Sequence, residues 1–197
     1  MRRRLVSTGT TIRWASSTMR MPRNWPPTAA TWDDPRNAWT KSTLAHNLVT
    51  VDGGSQNVKQ RRSHLELFAA APGVEVVQAS ADAYTQCDRY QRTCALVQLP
   101  GKQTYVVDIF RVRGGNRHQY GLNGNGNLIA LSTTEPQPIE EQIKWLDNVR
   151  AVAPDGPFTA TWEYRDVRMD LMMLSEIDRL VVADAPGWRS DRGNELN

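Results

Sequence analysis

Short apolar runs alternate with turn-forming residues along most of the chain from Leu48 onwards. Val, Ile, Leu and Thr are concentrated in these runs, and turns such as Asp52-Gly53-Gly54 and Pro100-Gly101-Lys102 separate them. Runs of this length and spacing are typical of an antiparallel β-sandwich, in which each strand buries one face. The predicted strands are 48–51, 65–68, 74–79, 92–98, 104–112, 127–131, 158–165, 167–174 and 179–183.

Residues 136–152 show a spacing different from that of the strands. Apolar Ile143, Trp145 and Leu146 follow two glutamates, and the Gly/Pro segment 153–157 ends the stretch. This spacing predicts one helical turn. The predicted fold class is therefore all-β, an antiparallel multi-strand sandwich with a single helical turn.

Residues 1–31 lack any sustained hydrophobic period. Arg, Thr, Ser and Pro dominate, and the aliphatic side chains of Leu5, Val6 and Ile12 follow no pattern. We expect a disordered or irregular basic segment. A transit-like leader and a disordered basic arm are two explanations, and a wrong start codon or reading frame is a third.

Charge and length limit the classes of function. The chain has 197 residues and a net charge of +3, but six arginines and no acidic residue lie in residues 1–30, which leaves 18 basic and 21 acidic residues in the rest. A nearly neutral body argues against a nucleic-acid partner. We find neither an apolar run of about 20 residues nor a secretory h-region, so we expect no membrane partner and no export signal.

Two cysteines and three histidines offer few metal ligands. Cys94 lies inside an apolar strand pattern and is interpreted as a small buried residue, with a disulfide to Cys87 as the alternative. His46, His64 and His118 do not make a tetrahedral set with these cysteines. We therefore predict no cofactor and no metal site.

Four segments form an ordered series of motifs. In the first, Ala45-His46-Asn47 precedes the strand 48–51 and the turn that follows it. The segment resembles the pattern W-x-x-S-T-x-A-H-N-x-V-x-V-D-G-x-x-Q, which opens the C-terminal β domain of heparinase II/III-like polysaccharide lyases. The other segments are similar to that family's Q-R-T-x-A-L strand, V-V-D-x-F-x-V strand and G-x-x-H-x-Y turn. The four segments span residues 39–57, 90–97, 105–112 and 114–120.

The resemblance covers residues 32–197 and implies a fragment of a lyase. Residues 1–31 are then a separate basic segment, and its abrupt junction with family-like sequence at Trp32 favours the wrong-frame explanation. The family's β domain is a supersandwich-like fold, and an N-terminal α/α-toroid domain completes the cleft. The resemblance also implies a periplasmic or secreted protein, although we predict no export signal in this chain.

Lyases of this class cleave uronate-containing glycans, such as alginate or glycosaminoglycans, by β-elimination. A base removes the C5 proton, an acid protonates the leaving O4, and donors neutralise the carboxylate. Without the toroid, which carries most of these groups, we expect the chain to be inactive. The resemblance implies catalytic roles for His46 and Tyr84, with Tyr90 second to Tyr84, and contacts to an acidic polysaccharide from Asn47 and His118. Arg92 is a further candidate for contact with the sugar, because a guanidinium matches the geometry of a carboxylate, and a solvated arginine is the alternative.

Each of these assignments has a structural alternative. His46 also fits a residue that caps a strand, Tyr84 an aromatic at a sandwich edge, and His118 a solvated loop residue. Relatives often carry a second His where this chain has Asn123, which weakens the transfer of a role to that loop. Some relatives bind zinc in this domain, but no clear ligand set is present here.

Two other classes of function compete with the lyase interpretation. A non-catalytic carbohydrate-binding sandwich would stack Trp145, Trp162 and Tyr164 on sugar rings, and those aromatic rings would then share an exposed face. A purely structural or interaction domain would need no site.

Overall fold

Antiparallel strands make up most of the computed structural model, which describes residues 10–16, 36–57, 59, 62–101, 103–123 and 127–185. The fold is all-β and sandwich-like, as predicted. One short helix, α1, spans Arg36–Thr40, and a 3-10 helical turn spans Thr43–Ala45. The strands are β1 Thr10–Ser16, β2 Val49–Val51, β3 Ser63–Ala71, β4 Val74–Ala81, β5 Cys87–Gln98, β6 Thr104–Gly114, β7 His118–Tyr120, β8 Asn127–Leu131, β9 Gln137–Pro138, β10 Asp147–Val152, β11 Phe158–Tyr164, β12 Val167–Met173 and β13 Leu180–Asp184.

Eight of these strands form one large sheet, in the order β3-β4-β5-β6-β1-β12-β11-β8. Every neighbouring pair in it is antiparallel, and β5 and β6 are its longest strands, with 12 and 11 residues. Two smaller sheets, β2-β7 and β13-β10-β9, accompany the large sheet. Side chains of β2, β7 and β13 pack against it, which gives the layered arrangement.

Two hydrophobic clusters fill the space between these layers. The first cluster lies where β2 and β7 cover β5 and β6, and the second lies on β11 and β12, with Leu180 of β13 packed against it. Tyr120 of β7 packs against both clusters. The buried members of the first cluster are Val49, Val51, Ala83, Tyr84, Tyr90, Phe110 and Val112, and those of the second are Phe158, Ala160, Leu171 and Met173.

All nine predicted strands are present, and most of them differ from the prediction only at their ends. The longest extension is in β5, which begins at Cys87 rather than at Arg92. Because Tyr90 of the added residues is buried against β2, tertiary packing extends this strand beyond its apolar run.

The predicted helical turn in residues 136–152 is wrong. The structure has β9 and β10 there, with an irregular connection between them. Trp145 and Asn148 have positive φ angles, 77° and 49°, which a right-handed helix does not allow. Pro138 also removes a backbone donor.

Residues 1–31 have no predicted element, whereas the structure has β1 at Thr10–Ser16. This strand lies between β6 and β12 in the large sheet, with Thr10 opposite Phe110 and Ile12 opposite Met173. Its Thr, Ile and Trp residues favour strands, a signal that the surrounding Arg and Pro residues obscure. The large sheet therefore includes part of the predicted basic segment, and the other residues of 1–31 lie outside the described ones.

No helix in the described ranges is both long and apolar enough to span a membrane.

Candidate functional site

The segment that carries His46 and Asn47 connects the 3-10 turn to β2. Ser42 caps this turn, since its Oγ donates to the Trp39 carbonyl at 2.7 Å and accepts from the Ala45 amide at 3.3 Å. The His46 amide donates to the Thr43 carbonyl at 3.1 Å. His46 itself is extended, with φ −121° and ψ 158°. The chain thus leaves the turn at His46 and runs directly towards β2.

The His46 imidazole is exposed and anchored at one nitrogen. Its Nε2 atom lies 2.9 Å from the Thr40 carbonyl oxygen. Because a carbonyl can only accept a hydrogen bond, this contact assigns the proton of the neutral ring to Nε2 and leaves Nδ1 as the acceptor. The ring therefore has a defined orientation and one nitrogen suited to accept a proton.

Asn47 is held from two sides. Its carbonyl accepts a hydrogen bond from Arg92 Nη1 at 3.0 Å, and its Oδ1 accepts from the Asn123 amide at 2.8 Å. Asn123 also donates through Nδ2 to the Leu44 carbonyl at 3.3 Å. Residues 44–47, which we call the His46 loop, are therefore tied both to the large sheet and to the segment after β7.

Arg92 forms a bidentate ion pair with Asp108. Nε donates to Oδ1 at 2.9 Å and Nη2 donates to Oδ2 at 2.7 Å. The Asp108 side chain is only 1% exposed, and it also accepts from the Tyr120 hydroxyl at 3.1 Å and lies 3.6 Å from Cys94 Sγ. A buried carboxylate is tolerated only when such partners satisfy it.

These contacts change the interpretation of Arg92. Arg92 is predicted from the sequence to bind substrate, but its Nε, Nη1 and Nη2 atoms all bind groups of the protein itself. Burial and the charge of Asp108 together also raise the pKa of Tyr120, so that hydroxyl stays protonated beside the carboxylate. In this structure Arg92 links the large sheet to the His46 loop.

Tyr84 and Tyr90 are buried beneath β2, each about 6% exposed. The Tyr84 hydroxyl lies within hydrogen-bond distance of two carbonyls, Gly54 at 3.1 Å and Val49 at 3.3 Å. The Tyr90 hydroxyl donates to the Val49 carbonyl at 2.7 Å and accepts from Gln56 Nε2 at 3.0 Å. Burial raises the pKa of Tyr84, and burial raises the pKa of Tyr90 to about 12.

The predicted catalytic role of Tyr84, with Tyr90 second, does not agree with these positions. A proton-transfer group must reach the substrate, whereas both hydroxyls face backbone carbonyls inside the first cluster. Both tyrosines are core residues in this structure. The sequence pattern did not reveal this, because Tyr84 lies in a loop where the alternation that marks inward positions is absent.

His118 lies at the far end of β7 from the His46 loop. It pairs with Val51, whereas Tyr120 pairs with Val49 at the end of β2 nearer the loop. Its Nε2 atom lies 2.7 Å from the Gly114 carbonyl and the residue is partly buried. The structure thus brings Asn47 and Arg92 into contact beside His46, and places His118 separately.

A tight turn stabilises the region around His118. Asp52 Oδ1 accepts from the amides of Asn116 and Arg117 at 2.8 and 2.9 Å, and these two bonds lower the pKa of Asp52. Asp52 has a φ of 53°, in the left-handed region that Asp tolerates better than most residues. This carboxylate therefore has a structural function in the turn.

Metal ligands do not cluster within the ranges that the structure describes. No group of three or more His, Cys, Asp or Glu side chains there could hold a metal ion. Cys87 and Cys94 are free thiols, so the disulfide alternative is wrong. Burial raises the pKa of both thiols, which makes them poor nucleophiles.

The three aromatic residues of the carbohydrate-binding alternative, Trp145, Trp162 and Tyr164, are all partly buried. Trp162 packs against the second cluster. Lys144 Nζ lies 5.0 Å from the Trp145 ring centroid, and Arg165 Cζ lies 5.1 Å from that of Tyr164. A surface depression of about 390 Å³ contains none of the predicted site residues, and its lining consists of Ser132, Thr133, Thr134, Asp155, Gly156 and Pro157.

Sequence reasoning missed three residues that organise the site, namely Asp108, Tyr120 and Asn123. Asp108 interrupts the apolar strand 104–112, and a charged residue in such a strand is a signal of a buried partner. Tyr120 ends the motif at 114–120 and Asn123 follows it, but neither position reveals its contacts in the sequence, since these depend on the pairing of β7 with β2.

A scan against models of protein families finds no match for this chain, and a search of curated proteins also finds no match. The resemblance to heparinase II/III-like lyases therefore depends on the motif residues themselves.

Proposed function

We propose that this chain is the C-terminal β domain of a heparinase II/III-like polysaccharide lyase and that His46 is the group it contributes to the cleft. An α/α-toroid domain would provide the other side of that cleft, and an acidic polysaccharide would be the substrate. The observation that supports this proposal is that the exposed imidazole lies on a loop held in place by several hydrogen bonds.

The chemistry of β-elimination suits such a group. An imidazole accepts and donates protons at near-neutral pH, as removal of the C5 proton and protonation of O4 require. With Nε2 bound to the Thr40 carbonyl, Nδ1 of His46 is available to accept a proton or a hydrogen bond from the sugar. A fixed ring also lowers the entropy lost when the substrate binds.

The chain supplies only part of the required set of groups. Tyr84, Tyr90 and Arg92 are occupied within the protein, so a second acid-base group and the carboxylate-neutralising donors must come from the toroid domain. Loss of one acid-base group costs about 10²- to 10⁴-fold in rate. The chain by itself should therefore bind uronate oligosaccharides weakly and not cleave them.

A titration followed by NMR tests the proposal. Oligomannuronate and heparan sulfate tetrasaccharides should shift the His46 imidazole and Asn47 resonances, while neutral cellotetraose should not. In His46→Ala the Asn47 resonances should no longer shift. His64→Ala is the matched control, because His64 is another exposed imidazole, on β3, and its removal should change nothing.

An assay for unsaturated uronate products accompanies the titration. We expect no product from the chain by itself. Robust turnover by the 197 residues, or equal binding by wild type and His46→Ala, would overturn the proposal.

A further inference from the structure

Arg92 occupies an unusual position for a charged residue. It lies on the inward face of β5, two residues after buried Tyr90 and opposite Phe110 of β6. Its guanidinium carbon is 5.7 Å from the Phe110 ring centroid, and its side chain remains 30% exposed. An arginine at such a position must be satisfied by the protein around it.

We propose that Arg92 is a positioning residue, which uses its ion pair with Asp108 to hold the Asn47 carbonyl and thereby sets the orientation of His46. The relevance of this role to sugar chemistry rests on the function proposed above. The contacts form a continuous series from the buried carboxylate, through the guanidinium, to the backbone of the His46 loop.

The geometry of the ion pair determines where the third nitrogen points. Two parallel hydrogen bonds to Asp108 fix the plane of the guanidinium, because two of its N–H groups match the two oxygens of the carboxylate. The Tyr120 hydroxyl also donates to Oδ2 of this carboxylate. Nη1 is then directed at the Asn47 carbonyl, 3.0 Å away. A lysine has one nitrogen and cannot make all of these contacts.

Residues other than Arg92 hold the opposite side of the His46 loop. The Gly121 amide donates to the Leu48 carbonyl at 2.9 Å, and Asn123 binds both Asn47 and Leu44. Arg92 provides the contact from the large sheet. Loss of that contact should loosen the loop without disrupting the strands, because β2 keeps its pairing with β7.

Hydrogen exchange in Arg92→Lys tests the positioning role without any sugar. The amides of His46 and Asn123, which donate to Thr43 and Asn47, should exchange at least roughly tenfold faster, the factor that corresponds to loss of one charge-assisted hydrogen bond. Amides of β11 and β12 should not change. Arg113→Lys is the matched control, since Arg113 forms an exposed pair with Asp88, and it should leave the loop unchanged.

Two results of this experiment would overturn the proposal. One is wild-type exchange at His46 and Asn123 in Arg92→Lys, and the other is a uniform increase over all strands, which would show general destabilisation. If Arg92→Lys does not fold, NMR of the guanidinium protons of the wild-type protein tests the positioning role instead. Restricted rotation at Arg92 Nη1, relative to exposed Arg113, is expected, whereas equally free rotation would contradict the positioning role.

Titration of Arg92→Lys with the uronate tetrasaccharides separates this inference from the proposed function. If wild type binds none of them, the proposed function fails, and exchange rates alone decide the positioning role. If wild type binds, we expect several-fold weaker binding by Arg92→Lys. Equal affinity despite a loosened loop would show that the orientation of His46 is not used, and the positioning proposal would fail.

Discussion

The two hydrophobic clusters are built from different kinds of side chain. The first cluster, under β2 and β7, contains buried tyrosine hydroxyls and adjoins the ion pair of Arg92 with Asp108. The buried members of the second cluster are apolar side chains, and a polar pair on the same two strands, Thr161 with Asp170 at 2.6 Å, leaves the Asp170 side chain 45% exposed. Apolar packing suffices to stabilise a layer, whereas buried polar groups impose one specific geometry.

This difference explains why the candidate site lies beside the first cluster. Its polar groups bind backbone atoms of the segment that carries His46. Tyr84 and Tyr90 both contact the Val49 carbonyl, and Arg92 contacts that of Asn47. Directional bonds to two carbonyls at the start of β2 fix the path of the chain there. In the second cluster, side chains pack without specifying the backbone in this way.

Asp108→Ala is expected to have the largest effect on stability among the variants that test this difference between the two clusters. Removal of a buried carboxylate leaves the Arg92 charge and the Tyr120 hydroxyl without their partner, so we expect a loss of about 3–5 kcal/mol in the free energy of unfolding. Urea denaturation measures this loss. The matched variant Asp170→Ala, at the partly exposed pair, should lose about 1 kcal/mol. Equal losses at the two positions would remove the distinction between the clusters.

Leu171→Ala should destabilise the second cluster by about 3 kcal/mol, because a buried leucine is replaced by a cavity. Unlike Asp108→Ala, it should leave the His46 imidazole resonances and the exchange of the His46 amide unchanged. Urea denaturation and NMR on the same sample separate the two effects. Altered His46 resonances in Leu171→Ala would show that the clusters are coupled, through Tyr120 or otherwise.

High pH should weaken the first cluster selectively. Burial raises the pKa of Tyr90 from its ordinary value of 10 to about 12, which means that the fold favours the neutral hydroxyl. This stabilisation is complete below pH 10 and is lost as the pH rises to about 12. At about 1.4 kcal/mol per pKa unit, the loss is roughly 2–3 kcal/mol. The pKa values of Tyr84 and Tyr120 are raised in the same direction.

Urea denaturation between pH 9 and pH 12 measures the alkaline loss of stability, since that window brackets the shift at Tyr90 from 10 to about 12. Tyr90→Phe should flatten the dependence on pH. Ultraviolet titration of tyrosinate provides a second measurement, in which the buried hydroxyls should ionise above the usual range. Ionisation of every tyrosine near pH 10 would contradict the burial of these hydroxyls.

The strands could be predicted from the sequence because their alternation is local. Strand β1 was not predicted because it lies in an Arg- and Pro-rich segment. Strand β7 was not predicted because its three residues are too few to show an alternating pattern. At the candidate site, the sequence named His46, Asn47 and Arg92, and the structure places Arg92 in contact with Asn47, while their functional roles stay predictions. The partner of Arg92 depends on the register that places Cys94 opposite Asp108. Register across a sheet is a long-range property that no local pattern contains.

The smallest effect is expected at the ion pair of Arg113 with Asp88, which joins the same two strands as the pair of Arg92 with Asp108. Its Nε to Oδ1 distance is 2.6 Å, but the two side chains are 58% and 62% exposed. Water can replace either partner there, and dissolved ions screen the attraction. Asp88→Asn should therefore change neither the urea midpoint nor the exchange of the His46 amide. If Asp88→Asn destabilised the chain as much as Asp108→Ala, contact distance rather than burial would determine how much each ion pair stabilises the fold. The contrast between the polar first cluster and the apolar second cluster would then lose its physical basis.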